Sequence, residues 1–253
     1  FYINLEEVLP NLESINLAYN LIEDVKINNS TNLGFLSLRA NSIKLLNKES
    51  FRGLVYLYEL NIEQNLIRTI EAYSFQNLIN IETELDIDQE NLFYLYAYSF
   101  NGLENLQNLK IRFNKLQIVK NNTFFGLKNL KYMSLLSNEL TFLEVDAFAS
   151  LKNLTHLNLM FNKIEIFSTD LFRDLISINE FYISNNRIKF IQTSKLFISH
   201  IEILQLGGNK LNFLKSNFLD NFQSFSYLNL SRNQLSNIES YSFSNLKFII
   251  ELE

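Results

Sequence analysis

Few side chains in this protein could carry out acid–base, nucleophilic or metal chemistry. The 253 residues include no cysteine and only two histidines, His156 and His200. Without cysteine there is no thiolate nucleophile and no thiolate zinc or iron–sulfur site, and two histidines cannot form a three-histidine metal centre. No serine and aspartate are placed to form a convincing triad with His156. The sequence therefore predicts a protein that is not an enzyme and has no cofactor.

Carboxylates are the exception, because they cluster along one part of the chain. Six of them stand on or next to two neighbouring strand segments, namely Glu59, Glu63, Glu82, Glu84, Asp86 and Asp88. Paired carboxylates could act as a general acid and base, or they could bind a hard cation such as Ca²⁺. Which of these is feasible depends on the elements that bring the side chains together.

The overall composition excludes several other classes of partner. A net charge of -5 argues against bulk nucleic-acid binding, which usually needs a basic face. The six glycines leave little room for phosphate-binding loops. No run of eighteen apolar residues is present, so no membrane insertion is expected within this segment. The N-terminus lacks the basic and apolar regions of a signal peptide.

The elements that position these residues come from an internal repeat. The template L-x-x-L-x-L-x-x-N-x-L matches ten times, and successive asparagine positions lie 21 to 25 residues apart. The ten anchor positions are Asn20, Asn41, Asn65, Glu90, Asn114, Asn138, Asn162, Asn186, Asn209 and Asn233. In most copies a phenylalanine follows ten residues after the anchor, with an aliphatic residue three further on, as in Phe51 and Leu54.

Each residue type in the template has a physical reason. The L-x-L core alternates with period two, which predicts a short strand with one buried face. Stacked copies form a parallel sheet with a continuous core. The anchor asparagine is expected to lie inward and to bond backbone groups where the chain leaves the sheet. The bulky phenylalanines are expected on the opposite side, so the stack should curve with its strands on the concave face.

These motifs resemble the leucine-rich repeat family over essentially the whole chain. The 24-residue period with phenylalanine ten residues after the anchor is similar to the "typical" subtype of animal extracellular proteins, which includes Toll-like receptors, Slit-type guidance proteins and insect immune proteins. The resemblance implies an α/β-type solenoid, a horseshoe of about ten repeats with a concave parallel β-sheet and an irregular, phenylalanine-lined convex side. It also implies an extracellular domain in receptor, cell-adhesion or innate-immune recognition.

Residues 1–253 are predicted to be a single repeat array that departs from the family in two ways. Cysteine-rich caps are absent and the last repeat stops short of a strand expected to begin at Leu252, so the chain is interpreted as a fragment lacking both caps. The alternative is a complete protein with unusual caps. The fourth repeat has one extra residue between Ile81 and Leu85 and carries Glu90 as its anchor. This predicts a bulge or a break in curvature, with neutral drift as the alternative.

The concave face carries an acidic patch in repeats three and four. Its members are Glu59, Glu63, Glu84, Asp86 and Asp88. Neighbouring strands lie about 5 Å apart, so these carboxylates repel one another unless something compensates. A basic partner or a cation could dock there. The favoured interpretation for metal is that no site exists, with Arg39, Lys110 and Arg112 giving partial neutralisation.

In repeats five to eight the same face becomes aromatic and apolar. The predicted ligand-binding patch is Phe113, Tyr132, Leu136, His156, Met160, Phe161 and Tyr182. Exposed apolar surface with tyrosine, phenylalanine and methionine often marks an interaction site. Two of these residues, Phe113 and Phe161, stand just before an anchor and could instead pack at the strand edge. His156 is interpreted as a surface contact.

Asparagine is the compositional outlier, with 36 residues. Nine of these fill anchor positions, and the other 27 are interpreted mainly as compositional bias. Five begin glycosylation sequons, namely Asn28, Asn29, Asn121, Asn153 and Asn229. Of these, Asn229 is expected on the central concave column.

The leading hypothesis is a non-enzymatic extracellular recognition domain that binds a protein or glycoconjugate ligand on its concave face. No nucleic-acid partner is expected. Two alternatives remain: a structural protein that pairs with copies of itself, as in a homodimer, and an intracellular scaffold.

Overall fold

The structure of the protein is a computed structural model that describes residues 11–27, 32–89, 91–192, 200–216, 219, 222–244 and 246–252. It is a parallel solenoid in which each repeat adds a strand to a first row, on the concave face, and most repeats add a shorter strand to a second row. A single 3₁₀-helix, Thr169–Phe172, is present in the described ranges.

The strands alternate between the two rows along most of the chain. The first row contains β1 Ser14–Asn16, β2 Phe35–Ser37, β4 Glu59–Asn61, β6 Glu84–Asp86, β8 Asn108–Lys110, β10 Tyr132–Ser134, β12 His156–Asn158, β14 Glu180–Tyr182, β16 Ile201–Gln205, β18 Ser224–Asn229 and β20 Phe248–Leu252. The second row contains β3 Leu45–Leu46, β5 Thr69–Ile70, β7 Tyr94–Leu95, β9 Ile118–Val119, β11 Phe142–Leu143, β13 Ile166–Ser168, β15 Phe190–Gln192, β17 Phe213–Leu214 and β19 Asn237–Ile238.

The last strand begins earlier than the sequence predicted. β20 starts at Phe248, not at Leu252, and Leu252 pairs with Leu228 in the middle of the repeat template. The strand starts early because β18, its partner, already extends from Ser224 and offers a longer edge for parallel pairing.

The register of the first row places equivalent template positions side by side. Tyr132 pairs with Asn108 on one side and with His156 on the other, and His156 pairs in turn with Glu180. Side chains at one template position therefore form a column across the concave face, because alternate residues of a strand point to the same face. The intervening leucines point inward, and Leu109 and Leu157 are fully buried.

The anchor asparagines form the predicted inward ladder. In repeat six, Asn138 Nδ2 donates to the carbonyl oxygens of Ile111 and Leu135 at 2.7 and 3.1 Å, while its Oδ1 accepts from the N–H of Leu116 at 3.2 Å. The same bonds to an earlier repeat recur at most of the other anchors, for example at Asn162. Each amide thus satisfies backbone groups that the sheet leaves unpaired.

A second asparagine column was not predicted. Asn80 Nδ2 donates to the carbonyl oxygen of Val55 at 2.7 Å, and Asn153 Nδ2 donates to that of Lys128 at 2.8 Å. Asn105 makes the equivalent bond to the repeat before it. The interpretation of the non-anchor asparagines as compositional bias is therefore wrong for these residues, because their amides join consecutive repeats.

The phenylalanine column is buried, but its stacking stops at repeat six. The rings of Phe51, Phe75, Phe100, Phe124 and Phe148 stack in series with centroids 5.6 to 5.9 Å apart. The next member, Phe172, instead meets Phe167 and Phe181 edge to face. The change has a cause in the sequence: Phe167 occupies the inward position of β13, where the five preceding second-row strands carry Ile, Leu or Val. The extra ring fills the space in which the stack would continue.

The first row is interrupted where the fourth repeat carries its extra residue. The strands β1, β2 and β4 form one sheet and β6 to β20 form another, and β4 and β6 are not hydrogen-bonded to each other. The extra residue between Ile81 and Leu85 lies directly before β6, at the point where the hydrogen bonding of the first row is interrupted. The change in curvature stays a prediction. The irregular anchor Glu90 lies outside the described residues.

Candidate functional site

The concave face divides into two halves, which we name by their residues. The acidic half comprises the strands β4 and β6 with Glu59, Glu63, Glu84, Asp86 and Asp88, and the aromatic half comprises β8 to β14 with Phe113, Tyr132, Leu136, His156, Met160, Phe161 and Tyr182. Both sets lie where the sequence predicted, on the template positions between the buried leucines.

In the acidic half most of the charge is compensated by basic residues of adjoining strands. The Nζ atom of Lys110 lies 2.6 Å from Glu84 Oε2. Arg39 Nε lies 4.0 Å from Glu63 Oε2. Among the described residues, Glu59 makes no ion pair.

Arg112 makes the tightest contact of this half. Its Nε and its backbone N–H donate to the two carboxylate oxygens of Asp88, and its Nη2 lies 3.5 Å from Asp86 Oδ2. The Asp88 side chain is only 10% exposed. This carboxylate is therefore committed to one guanidinium across the strand and is not presented to a partner.

The pKa of Asp86, the other carboxylate that Arg112 contacts, is raised. Burial, together with the nearby charge of Asp88, raises the pKa of Asp86 to about 6. The Arg112 guanidinium opposes both effects. Asp86 Oδ1 also accepts the backbone N–H of Asp88 at 2.9 Å, which closes the turn at the end of β6.

A cation site does not form in the described part of the acidic half. Across the described ranges, no three histidine, aspartate or glutamate side chains converge so that they could hold a metal ion. The pairing with Lys110 and Arg112 accounts for the clustered carboxylates without such an ion.

The aromatic half contains a hydrogen-bonded network that the sequence did not predict. Glu180 lies in the column of Tyr132 and His156 and accepts bonds at both oxygens. His156 Nε2 lies 3.0 Å from Glu180 Oε1, and the Tyr182 hydroxyl donates to Glu180 Oε2 at 2.6 Å. Thr155 Oγ1 lies 2.7 Å from the other ring nitrogen of His156.

This network fixes the aromatic rings. Burial and the bond to Glu180 raise the pKa of Tyr182, so its hydroxyl stays protonated and remains a donor. The rings of Tyr132 and His156 are neighbours, with centroids 6.3 Å apart. The signal that could have revealed Glu180 is its register: it is the next residue along the column that contains Tyr132 and His156.

Phe113 and Phe161 stand at the rim of the aromatic half. Both have left-handed backbone, with φ of 58° and 55°, and their side chains are 50% and 51% exposed. A bulky residue in this region costs about 1 to 2 kcal/mol relative to glycine or asparagine. Packing does not offset this cost fully, since half of each ring faces solvent.

Leu136 and Met160 lie between these rims and are half-buried. Under this surface, the hydroxyls of Ser134 and Ser184 are buried, and neither has a hydrogen-bond partner within the described structure. Buried polar groups usually have a partner, so these two hydroxyls are exceptions beneath the aromatic half and are not part of its exposed surface.

The sequons fall on different surfaces. Asn121 and Asn153 are both exposed. Asn121 follows the second-row strand β9, whereas Asn153 lies three residues before the first-row strand β12. Asn229 lies on β18, where its Nδ2 donates to the Tyr227 hydroxyl and its Oδ1 accepts from Ser231. The sequons at Asn28 and Asn29 lie outside the described residues. The described part of the chain also contains no helix with the length and apolarity needed to cross a bilayer.

Comparisons with known proteins match this architecture. Models of leucine-rich repeats fit three segments: a BspA-type repeat region (6 copies) over residues 20–141, a leucine-rich repeat model over 128–188 and another over 224–246. No curated protein matches the chain in sequence.

Solved structures of similar fold cover nearly the whole chain. The leucine-rich repeat domain of APL1B has a TM-score of 0.69 at 21% identity over 98% of the chain. TLR13 in complex with ssRNA13 has a TM-score of 0.64 at 24% identity over 92% of the chain. Toll in the Drosophila Toll–Spatzle complex has a TM-score of 0.63 at 18% identity over 97% of the chain. The chain spans 65%, 45% and 37% of these structures, less than two thirds of each. From the repeat, the fold and these matches together, the chain belongs to the leucine-rich repeat family.

Proposed function

We propose that this chain is a non-enzymatic recognition domain that binds a protein or glycoconjugate ligand on the aromatic half of its concave face. The observation that carries the proposal is the contrast in available surface. Carboxylates of the acidic half are largely committed to Arg39, Lys110 and Arg112. The aromatic half presents half-exposed rings and half-buried aliphatic side chains.

The composition of the aromatic half suits a protein interface. Aromatic residues and methionine are enriched at the centres of such interfaces, and rigid rings lose little entropy on binding. His156 and Tyr182 are held by Glu180 before any ligand arrives, which reduces the cost of ordering them. A rigid binding surface of this kind supports recognition and not catalysis.

The relatives of similar fold support an extracellular setting. The Toll structure is a complex with Spatzle, and the TLR13 structure is a complex with ssRNA13. We infer a receptor, adhesion or innate-immune role for this chain, as a glycoprotein on the cell surface or secreted. The net charge of -5 favours a protein or glycoconjugate over a nucleic acid.

The test replaces three central side chains of the aromatic half. Tyr132→Ser, Leu136→Ser and Met160→Ser together should abolish ligand capture from the native source while the melting temperature stays close to that of the wild type. The matched control is Val55→Ser, Tyr56→Ser and Phe93→Ser, which removes three exposed apolar side chains elsewhere. Capture that survives the first triple, or is lost equally in the control, would contradict the proposal.

A second measurement tests the extracellular setting. Protein from its native source should lose mass on enzymatic deglycosylation, with peptides containing Asn121 or Asn153 carrying the glycan. An unmodified chain would favour the intracellular scaffold. Light scattering addresses self-association, and a concentration-dependent dimer that the aromatic-half triple variant abolishes would favour the homodimer instead.

A further inference from the structure

A pocket opens between repeats six and seven, on the side away from the concave face. In the second row, β11 pairs with β9 and β13 pairs with β15, but β11 and β13 do not pair with each other. The phenylalanine stack ends at the same place, at Phe148. The 3₁₀-helix Thr169–Phe172 follows directly after β13. The end of the phenylalanine stack and the 3₁₀-helix thus coincide with one of the interruptions of the second row.

The seam leaves an apolar pocket of about 180 Å³. Its walls come from Leu143, Val145, Phe167, Leu171 and Ile183. The exposure of Leu143 is unusual for its template position. The equivalent side chains Leu46 and Val119 are fully buried, whereas Leu143 is partly open because β13 does not cover it.

The pocket also has a polar rim. Ser168, Asp170 and Gln192 line it together with the apolar walls. Ser168 Oγ accepts the backbone N–H of Asp170 at 3.2 Å and thereby caps the 3₁₀-helix. The Asp170 carboxylate lies 3.6 Å from Arg173, and its remaining lone pairs can accept another donor.

Size and chemistry together define what would fit. A cavity of about 150 Å³ lined by leucine, isoleucine and phenylalanine stays dry and binds benzene, so a cavity of this size can hold one aromatic ring system. Apolar walls with a few polar groups at one side are typical of small-molecule sites, in which the polar groups set the orientation. Ser168 and Gln192 can both donate and accept hydrogen bonds, whereas the Asp170 carboxylate can only accept. The carboxylate therefore favours a ligand that brings a donor.

We propose that this seam pocket binds a compact aromatic molecule that carries an N–H or O–H donor, of about the size of indole. The aromatic body occupies the space between Leu143 and Phe167, and the donor faces the Asp170 side of the rim. The pocket lies outside the concave face. A test of this proposal is therefore independent of a test of the proposed function.

The experiment titrates the intact chain with indole and follows amide and methyl shifts by NMR. Indole should shift resonances of residues around the seam in a saturable way. Indene, which keeps the fused ring system of indole but lacks the N–H donor, should bind about fivefold more weakly, the effect of one hydrogen bond. Saturable shifts confined to another part of the molecule, or no shifts at all, would overturn the proposal.

A variant that blocks the pocket distinguishes binding at this site from nonspecific binding of indole to apolar surface. Val145 is 47% exposed at the pocket, so Val145→Phe places a ring there without disturbing the core. It should weaken indole binding about tenfold or more. Val55→Phe is the matched control, because Val55 is 40% exposed at a distant repeat, and it should bind as the wild type does. Equal affinity for indole in Val145→Phe and wild type would refute the assignment, and an unchanged melting temperature shows that each variant is folded.

Discussion

The acidic and aromatic halves of the concave face carry different side chains at the same template positions, and these side chains make different kinds of contact. In the acidic half, Arg112 and Lys110 lie on or directly after β8 and bind carboxylates of the neighbouring repeat. In the aromatic half, the single carboxylate Glu180 binds His156 and Tyr182 and leaves the rings facing outward. Polar contacts in the acidic half neutralise carboxylates. Polar contacts in the aromatic half fix the positions of His156 and Tyr182.

The difference shows that a cluster of like charges is a poor guide to a binding site. Six clustered carboxylates stand out in the sequence, yet four of them make ion pairs within the fold, and among the described residues only Glu59 and Glu82 of the six make none. Half-exposed rings held on a rigid frame are a better guide, because they gain buried area on binding and lose little freedom.

The largest expected effect comes from removing Arg112. Arg112→Ala leaves Asp88 and Asp86 close together without their shared cation, and the Asp88 side chain is only 10% exposed. We expect the free energy of unfolding to fall by about 3 kcal/mol, measured by denaturant unfolding. Arg52→Ala is the control, since that arginine is 68% exposed in a surface pair and should matter by less than about 0.5 kcal/mol. Equal losses in the two variants would show that the acidic half is not held by Arg112.

The next largest effect is a gain in stability. The pKa of Asp86 is raised from 3.8 to about 6, so the folded state holds the proton more tightly than the unfolded state does. Stability from this group therefore falls as pH rises from about 4 to about 6 and is constant above that range. Asp86→Asn should stabilise the protein by about 2 kcal/mol at pH 7 and should flatten this part of the pH profile. The measurement is the free energy of unfolding of wild type and variant at pH 4, 5, 6 and 7. A steeper dependence on pH in the variant than in the wild type would contradict this prediction.

A smaller effect is expected in the aromatic half. Tyr182→Phe removes the 2.6 Å bond to Glu180 and keeps the ring. Because this bond is partly exposed, we expect a loss of about 1 kcal/mol in unfolding free energy. The orientation of the neighbouring His156 should change as well, which appears as a shift of its ring resonances. Unaltered histidine resonances would mean that Glu180 does not link the two residues.

The smallest effect is expected at Glu59. Glu59→Gln removes an exposed charge that makes no ion pair among the described residues, so stability should change by less than about 0.5 kcal/mol. If a basic ligand approaches over the acidic half, its association rate should fall at low salt while its dissociation rate stays constant. A changed dissociation rate would place Glu59 inside the contact surface and would extend the binding site beyond the aromatic half.

The regular part of the fold could be predicted from the sequence because the same residue types at the same template positions make the same contacts in each repeat. The alternation around Leu109, the inward amide of Asn138 and the buried ring of Phe100 follow from template positions alone. The break before β6 was also predictable, because one extra residue between Ile81 and Leu85 cannot be absorbed without changing the register.

The irregular parts depend on contacts between repeats that no single template shows. Phe172 keeps the expected spacing, yet it leaves the stack because Phe167 of the same repeat has taken the space. Glu180 was missed as part of the site because its role depends on its register with His156 and on the rotamer of Tyr182. The asparagine column through Asn80 and Asn153 was missed because its partners are carbonyl groups of the preceding repeat.

The most direct test of the central claim compares the two halves by photo-crosslinking. A benzophenone amino acid is placed singly at Met160 in the aromatic half, at Glu59 in the acidic half and at Phe93 away from the concave face. The protein is then exposed to its native source and irradiated. The account predicts one dominant adduct at Met160, a weak one or none at Glu59 and none at Phe93. Dominant adducts at Glu59 or Phe93, with Met160 silent, would contradict it.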